Sequence, residues 1–310
     1  MRIAFMGTPD FAVPSLAALI DAGYAVVAAF TQPDRPSGRG NKVTACPVKC
    51  YAVDHGIPVF QFERIRRAEG AAALSELKPD LCVTAAFGQI LSKKLLEIPP
   101  LGTLNVHASL LPKYRGAAPI NWCIALGERE TGVTIMFTDA GVDTGDIAMM
   151  RSTPVGDAET AGELSARLSV IGAELLVEAV AAVDKGTCPR VPQDHAAATH
   201  LPMLNRDMGR IDWTMSAQEI ERRIRGFDPW PGSFTYLGET QIKIWSVAVV
   251  DTLYAGVPGE IVGADPKTGL RVACGCGMIH IDELQAPGAK RMASNIYLRG
   301  RPIATGIQLK

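Results

Sequence analysis

Residues 2–32, RIAFMGTPDFAVPSLAALIDAGYAVVAAFTQ, decide the architecture. RIAFMG is apolar without alternation, the pattern of a strand buried on both faces. TPDFAVPSLAALIDAG reads as a helix that stops at Gly23. YAVVAAFTQ is again a continuous apolar run, hence a second strand. Strand, helix and strand in close succession are the unit from which a parallel sheet covered on both faces is built.

The alternation continues outward from this span. PDRPSGRGNKVTAC is a long polar loop, and Pro47 opens a helix that stops near DHG. PVFQ, DLCVTAAFG, TLNVHA and GVTIMF are further strands, with helical stretches at 64–77, 88–96 and 119–126 between them. Residues 159–185 form a long amphipathic helix with Leu164, Leu168, Ile171 and Leu175 on one face and Gly186 as its stop. The pattern changes after Gly186. TCPRVPQDHAAATHLPMLNRDMG has no periodicity and reads as a linker. SAQEIERRIRGF offers a capping box, Ser216 with Glu219, and an apolar face of Ile220, Ile224 and Phe227. Short alternating strands broken by Gly and Pro then fill the remainder, which suggests a small β-barrel. The expected organisation is a mostly parallel α/β domain over 1–187, a linker over 188–206 and a C-terminal β-barrel domain over 207–310.

Composition narrows the function. The 310 residues are 47% hydrophobic and 20% charged, which suits an ordinary folded core. No apolar window is long enough to span a bilayer, and the N-terminus enters a strand with no h-region, so a cytoplasmic protein is expected. Net charge is −1, with 13 basic and 11 acidic residues from Arg206 onward, so any polyanion must be held by local clusters. Seven scattered cysteines lack zinc-ribbon spacing and read as reduced structural thiols.

Ligands of open α/β sheets gather beyond the carboxyl ends of strands. Three segments fall there: MGTPDF, NVHASLLP and FTDAGVDTGD. GTPDF lacks the G-x-G-x-x-G pattern, and no P-loop occurs, which disfavours NAD and ATP chemistry. Asn105 and His107 lie two apart and leave one face of their strand. Histidine suits proton transfer near neutrality, and an asparagine amide can donate to a developing oxyanion. Alone, His107 is better explained as a histidine bonded to a nearby backbone carbonyl. Of Asp139, Asp143 and Asp146, two are expected to close Asx turns and one to orient or charge a histidine. Their spacing is wrong for an EF-hand, and no metal is expected. No serine elbow or Cys-His pair is present, so the site suits transfer of a small electrophilic group to a nucleophile that the substrate supplies.

NVHASLLPKYRGAAPI followed by TGVTIMFTDAGVDTGDI resembles the signature of the 10-formyltetrahydrofolate-dependent formyltransferases. FMGTPDFAVPSLAAL, TQPDRPSGRGNKVTACPVK, AAFGQIL, GRIDW and FDPWPGSFT extend the resemblance over nearly the whole chain, toward the members that act on aminoacylated tRNA. The resemblance implies a Rossmann-like catalytic domain and an OB-like C-terminal domain. It implies a catalytic trio of Asn105, His107 and Asp143, and transfer of formyl from 10-formyltetrahydrofolate to the α-amine of methionyl-initiator tRNA. Folate would lie beside Phe87, Gly88, Gln89, Ile90, Ser109, Leu110, Leu111 and Pro112. The basic loop 33–49, with Arg35, Arg39, Lys42 and Lys49, would reach the tRNA acceptor end. Lys113, Arg115, Arg206, Lys290 and Arg291 would add cations, with Arg299 and Arg301 nearby. A monomer is expected. The alternatives are a nucleotide amino-sugar formyltransferase, which the basic loop disfavours, and a non-catalytic tRNA-binding module, which the intact trio disfavours.

Overall fold

The opening span folds into β1 (Arg2–Gly7), α1 (Val13–Asp21) and β2 (Ala25–Thr31), and β1 and β2 pair in parallel. A single 3-10 turn over Asp10–Ala12 precedes α1, so the regular helix starts later than its apolar pattern. Pro14 sits in the first turn, where its missing N–H removes no helical bond. The computed structural model describes residues 1–37 and 42–310, with only the backbone of Ser37 and Lys42. In chain order there follow β3 (Arg35–Ser37), β4 (Lys42–Thr44), α2 (Pro47–Asp54), β5 (Val59–Gln61), α3 (Ala68–Leu77), β6 (Leu81–Ala85) and α4 (Lys93–Leu96). Next come β7 (Thr103–His107), β8 (Arg115–Gly116), α5 (Pro119–Ala125), β9 (Glu130–Phe137), β10 (Ile147–Pro154), α6 (Ala161–Asp184) and β11 (His200–Leu201). The last are α7 (Ala217–Gly226), β12 (Ser233–Leu237), β13 (Thr240–Asp251), β14 (Ile261–Asp265), β15 (Gly269–Ala273), β16 (Met278–Gln285), β17 (Met292–Ala293) and α8 (Ser294–Gly300).

One packed unit comprises residues 1–116, 130–154 and 165–201. Its seven-stranded sheet has the order β10-β9-β7-β6-β1-β2-β5. The five strands from β7 to β5 are parallel, whereas β9 runs antiparallel to β7 and β10 antiparallel to β9. All five residues of β6 and all of β1 beyond Arg2 are buried, as continuous apolar runs require when both faces are covered. From β1 the chain passes first to β2 and β5 and then returns to β6 on the other side. The ends of β1 and β6 therefore flank a topological switch point.

The sequence pattern missed some of this unit. β10 alternates between covered and open positions and forms the sheet edge, and its polar Arg151-Ser152-Thr153 run hides it as a strand. The stretch 88–96 is helical only at Lys93–Leu96, because Ala86 and Gly88 adopt positive φ values and turn the chain instead. The helix expected from 64 begins at Ala68.

A second unit comprises residues 117–129, 155–164 and 202–310. It gathers α5 and the segment before α6 together with the C-terminal strands, across the sequence boundary expected at 187. Trp122 of α5 meets Phe227 edge-on with centroids 5.9 Å apart, and Asn121 Nδ2 donates to the Gly226 carbonyl at 2.8 Å. The capping box of α7 forms as its sequence requires, and Ile220, Ile224 and Phe227 are buried. The strands make an antiparallel sheet ordered β12-β13-β16-β15-β14, with β17 on β16. Among the described residues no ladder joins β12 to β14, so the expected closed barrel is an open path. All seven cysteines are free thiols, and burial pushes Cys82 and Cys274 up to about 12. No described helix is long and apolar enough to cross a membrane.

The fully buried Phe5 of β1 sets the worth of the central packing. Phe5→Ala is expected to lower stability by about 3–5 kcal/mol, seen as a lower urea midpoint at unchanged slope.

Candidate active site

Asn105 and His107 project from one face at the end of β7, as a two-residue spacing on a strand dictates. Asn105 Oδ1 accepts a hydrogen bond from Thr84 Oγ1 of the adjacent β6 at 2.8 Å. That bond fixes the amide plane and leaves the NH2 group, two donors, for a reacting oxygen. His107 is buried, and its Nε2 lies 3.0 Å from the Tyr114 carbonyl oxygen. A carbonyl only accepts, so Nε2 carries a proton. Nδ1 then faces the Asp143 carboxylate at 3.7 Å, beyond hydrogen-bond reach. Any chemistry of the ring therefore falls to Nδ1. The plain reading of His107, a bond to a backbone carbonyl, describes one nitrogen and leaves the chemical reading to the other.

Asp143 reaches this place by an indirect route. Because β9 is antiparallel to β7, its carboxyl end pairs with the start of β7, at Leu104 and Phe137. The three strand-end segments therefore do not share one edge of the sheet. The loop 138–146 starts beside Thr103, where Thr138 N donates to the Thr103 carbonyl, and runs back along β7 to His107. Gly145 allows the return: a Cβ there would stand 1.9 Å from the Phe137 carbonyl oxygen. Asp139 closes an Asx turn, accepting from Gly141 N at 3.0 Å and from Thr144 Oγ1 at 2.7 Å. Asp143 sits at φ +53, a left-handed conformation that Asp tolerates better than most residues.

Two neighbours hold Asp143 there. Gly116 N donates to its Oδ2 at 2.8 Å. The buried Gln193 donates through Nε2 to the carbonyls of Asp143 and Gly145, at 2.9 and 2.7 Å. Gln193 lies in the stretch that sequence alone read as a surface linker. Thr84, Tyr114 and Gln193 are the site residues that sequence reasoning missed. None has a chemical signature, since Thr84 acts through one hydrogen bond, Gln193 through two and Tyr114 through its backbone carbonyl.

Arg115 was expected to face tRNA and does not. It is buried, with Nε and Nη2 donating to Gln193 Oε1 at 3.1 and 2.7 Å and Nη2 3.1 Å from His195 Nδ1. Its fork orients Gln193, and so Asp143 indirectly, because β8 directs the side chain inward to pair with the 191–201 segment. The other expected cations differ among themselves. Lys113, Arg206 and Lys290 are exposed. Arg35 is exposed and pairs with Glu63 at 2.9 Å, a contact of little energetic weight. Arg291 is bonded to Glu283, lies 3.9 Å from Asp228 and stacks over Trp245, so its charge is balanced locally. Lys49 is drawn into the stem of its loop, with Nζ on Asp34 and on Gln61 Oε1. Arg39 and the Lys42 side chain lie outside the described residues.

The expected folate residues divide similarly. The Phe87 ring packs in the core with Phe30 and Leu95, and Ser109 and Leu111 are buried. Ser109 Oγ donates to the Lys113 carbonyl at 2.7 Å. Gln89 is held inward, donating to the Phe62 carbonyl and accepting from Ile65 N, each at 2.7 Å. Ile90 is 68% exposed, Gly88 is open, and Leu110 and Pro112 are half-buried, so these four remain accessible.

Comparison with known proteins gives the class. Residues 1–180 match the formyl transferase family, and residues 203–302 match the formyl transferase C-terminal domain. The chain belongs to the formyl transferase family. It is 48% identical over 311 residues to the methionyl-tRNA formyltransferase of Ruminiclostridium cellulolyticum, covering 100% of this chain and 99% of that one. The corresponding protein of Geotalea uraniireducens is 49% identical, covering 99% and 97%. Among solved structures, the fold is shared with an N-formyltransferase from Helicobacter canadensis in complex with folinic acid and dTDP-3-aminofucose. The TM-score is 0.67 at 19% identity, covering 94% of this chain and 100% of that one.

Two predictions follow from the geometry. The Lys49 and Gln61 bonds hold the Asp34 carboxyl below its ordinary 3.8, so the native state keeps it charged when the unfolded chain does not. The stability this provides is complete above pH 3.8 and is lost as pH falls through the lower native value. Urea midpoints of wild type and Asp34→Asn should differ near pH 6 and converge below that range. At the 138–146 loop, Gln193→Leu is expected to lower kcat about tenfold or more by releasing two carbonyls, with donor KM little changed in steady-state assays.

Proposed function

We infer that this chain transfers the formyl group of 10-formyltetrahydrofolate to the α-amino group of methionyl-initiator tRNA, giving N-formylmethionyl-tRNA for translation initiation. One observation carries the reading. A chain alike over its full length to methionyl-tRNA formyltransferases has a preset amide donor and a histidine on one strand face, with a carboxylate 3.7 Å from the histidine.

The substrate amine supplies the nucleophile. Its nitrogen bonds to the formyl carbon, and the formyl oxygen becomes an oxyanion. The Asn105 NH2 group donates to that oxygen, with its direction preset by Thr84. The amine must lose a proton and the departing N10 must gain one. His107 Nδ1 moves that proton while Nε2 stays on the Tyr114 carbonyl, and the Asp143 carboxylate balances the imidazolium that forms. Folate lies against Gly88, Ile90, Leu110 and Pro112. Arg35, Arg39, Lys42, Lys113, Arg206 and Lys290 meet the tRNA backbone, and Arg291 does so by exchanging its acidic partners for phosphate. The C-terminal antiparallel sheet acts as an OB-like module that holds the acceptor arm. The protein works in the cytoplasm as a monomer, with folate as its only co-substrate.

The assay offers 10-formyltetrahydrofolate with methionyl-initiator tRNA, methionyl-elongator tRNA or a nucleotide amino sugar. Formylation is expected on initiator tRNA. It should fall about 10²–10³-fold in kcat for Asn105→Ala, the usual loss for one oxyanion donor. Turnover on the sugar alone would overturn the reading.

A further inference from the structure

The switch point between β1 and β6 holds a hydrogen-bonded cluster that takes no part in the chemistry above. The turn after β6 is awkward for a polypeptide. Ala86 has φ +45 and Gly88 φ +74, the left-handed region that L side chains avoid. The carbonyls of Phe87 and Gly88 both face one side chain, Gln32. Its Nε2 donates to Phe87 O at 3.2 Å and to Gly88 O at 3.0 Å, so one amide group meets two converging dipoles. Thr8, of the GTPDF segment, adds a weaker bond from Oγ1 to Phe87 O at 3.4 Å. A Cβ at position 88 would lie 3.2 Å from Gln32 Nε2, so the glycine lets the amide approach.

Gln32 is itself anchored on two sides. Its backbone N donates to Thr8 Oγ1 at 3.2 Å, and its backbone carbonyl accepts from Gln61 Nε2 at 2.8 Å. Gln61 also donates to Asp34 Oδ1 at 2.9 Å and accepts from Lys49 Nζ at 2.9 Å. Asp34 and Lys49 form the stem of the basic loop, so hydrogen bonds link that stem to the turn through the Gln61 side chain and both the backbone and side chain of Gln32.

We propose that Gln32 is a positioning residue for the formyl donor: by holding the Phe87 and Gly88 carbonyls it fixes the 86–90 turn in the shape that receives the folate. The proposal rests on the donor reading above. Gln32 is half-buried and touches the turn through polar atoms, so its role is directional and an apolar side chain of equal size cannot replace it. The reacting groups on β7 and the 138–146 loop do not contact it. Its loss should therefore weaken donor binding and leave the chemical step intact.

Equilibrium binding of folinic acid to the full-length protein tests this, beside steady-state kinetics and thermal melting. Gln32→Met keeps the side-chain volume and removes both donors. It is expected to bind folinic acid about tenfold more weakly and to raise the donor KM equally, with kcat and melting temperature close to wild type. Gln32→Glu, which sets a charged acceptor against two carbonyls, should bind more weakly still. Gln32→Asn, whose amide falls one methylene short of both carbonyls, repeats the test if the Met protein does not fold. Equal folinic acid affinity in wild type and a folded variant overturns the proposal. So does a variant in which melting temperature and kcat fall while affinity holds. A wild type that binds no folinic acid removes the donor reading itself, and the positioning role with it.

Discussion

The site depends on the backbone of the 138–146 loop being pinned at the far end of β7. An antiparallel neighbour carries Asp143 to the wrong edge of the sheet, and the loop must fold back over the strand to reach His107. A left-handed Asp143 and a glycine at 145 make that return possible. The Gly116 N–H and the two bonds from Gln193 make it stable. Buried amide and carbonyl groups must find partners, so satisfying the loop's backbone also places its carboxylate.

The groups proposed to react are thus arranged by residues with no reactivity of their own. Thr84 sets the Asn105 amide, the Tyr114 carbonyl sets the His107 proton, and Gln193 sets Asp143. Arg115 stands behind Gln193 with both fork nitrogens on one oxygen. A lysine could not reproduce that planar fork. The same economy holds at the switch point, where one glutamine satisfies two carbonyls of a strained turn.

Charge in a sequence says little about where charge is offered. Arg115, Lys49 and Arg291 all read as cations for a polyanion, yet the fold buries the first, pairs the second in a loop stem and balances the third with carboxylates. Lys113, Arg206 and Lys290 stay at the surface. The difference lies in which element carries each residue and which way that element faces, and composition is blind to both.

Local pattern was enough for the parallel sheet, the α7 capping box and the pairing of Asn105 with His107 on one strand face, because strand and helix periods act over a few residues. The helix expected over 88–96 failed where the turn at Ala86 and Gly88 intervened, and edge strand β10 was hidden by its polar run. The resemblance of two motifs supplied the trio. Tertiary structure alone decided which nitrogen of His107 is open, that Gln193 belongs to the site, that Arg115 is internal, and that α5 packs with the C-terminal unit. The last three rest on partners tens of residues apart in the chain, such as Arg115 and Gln193, and the first on a carbonyl brought back by the turn after β7; no local period encodes either meeting.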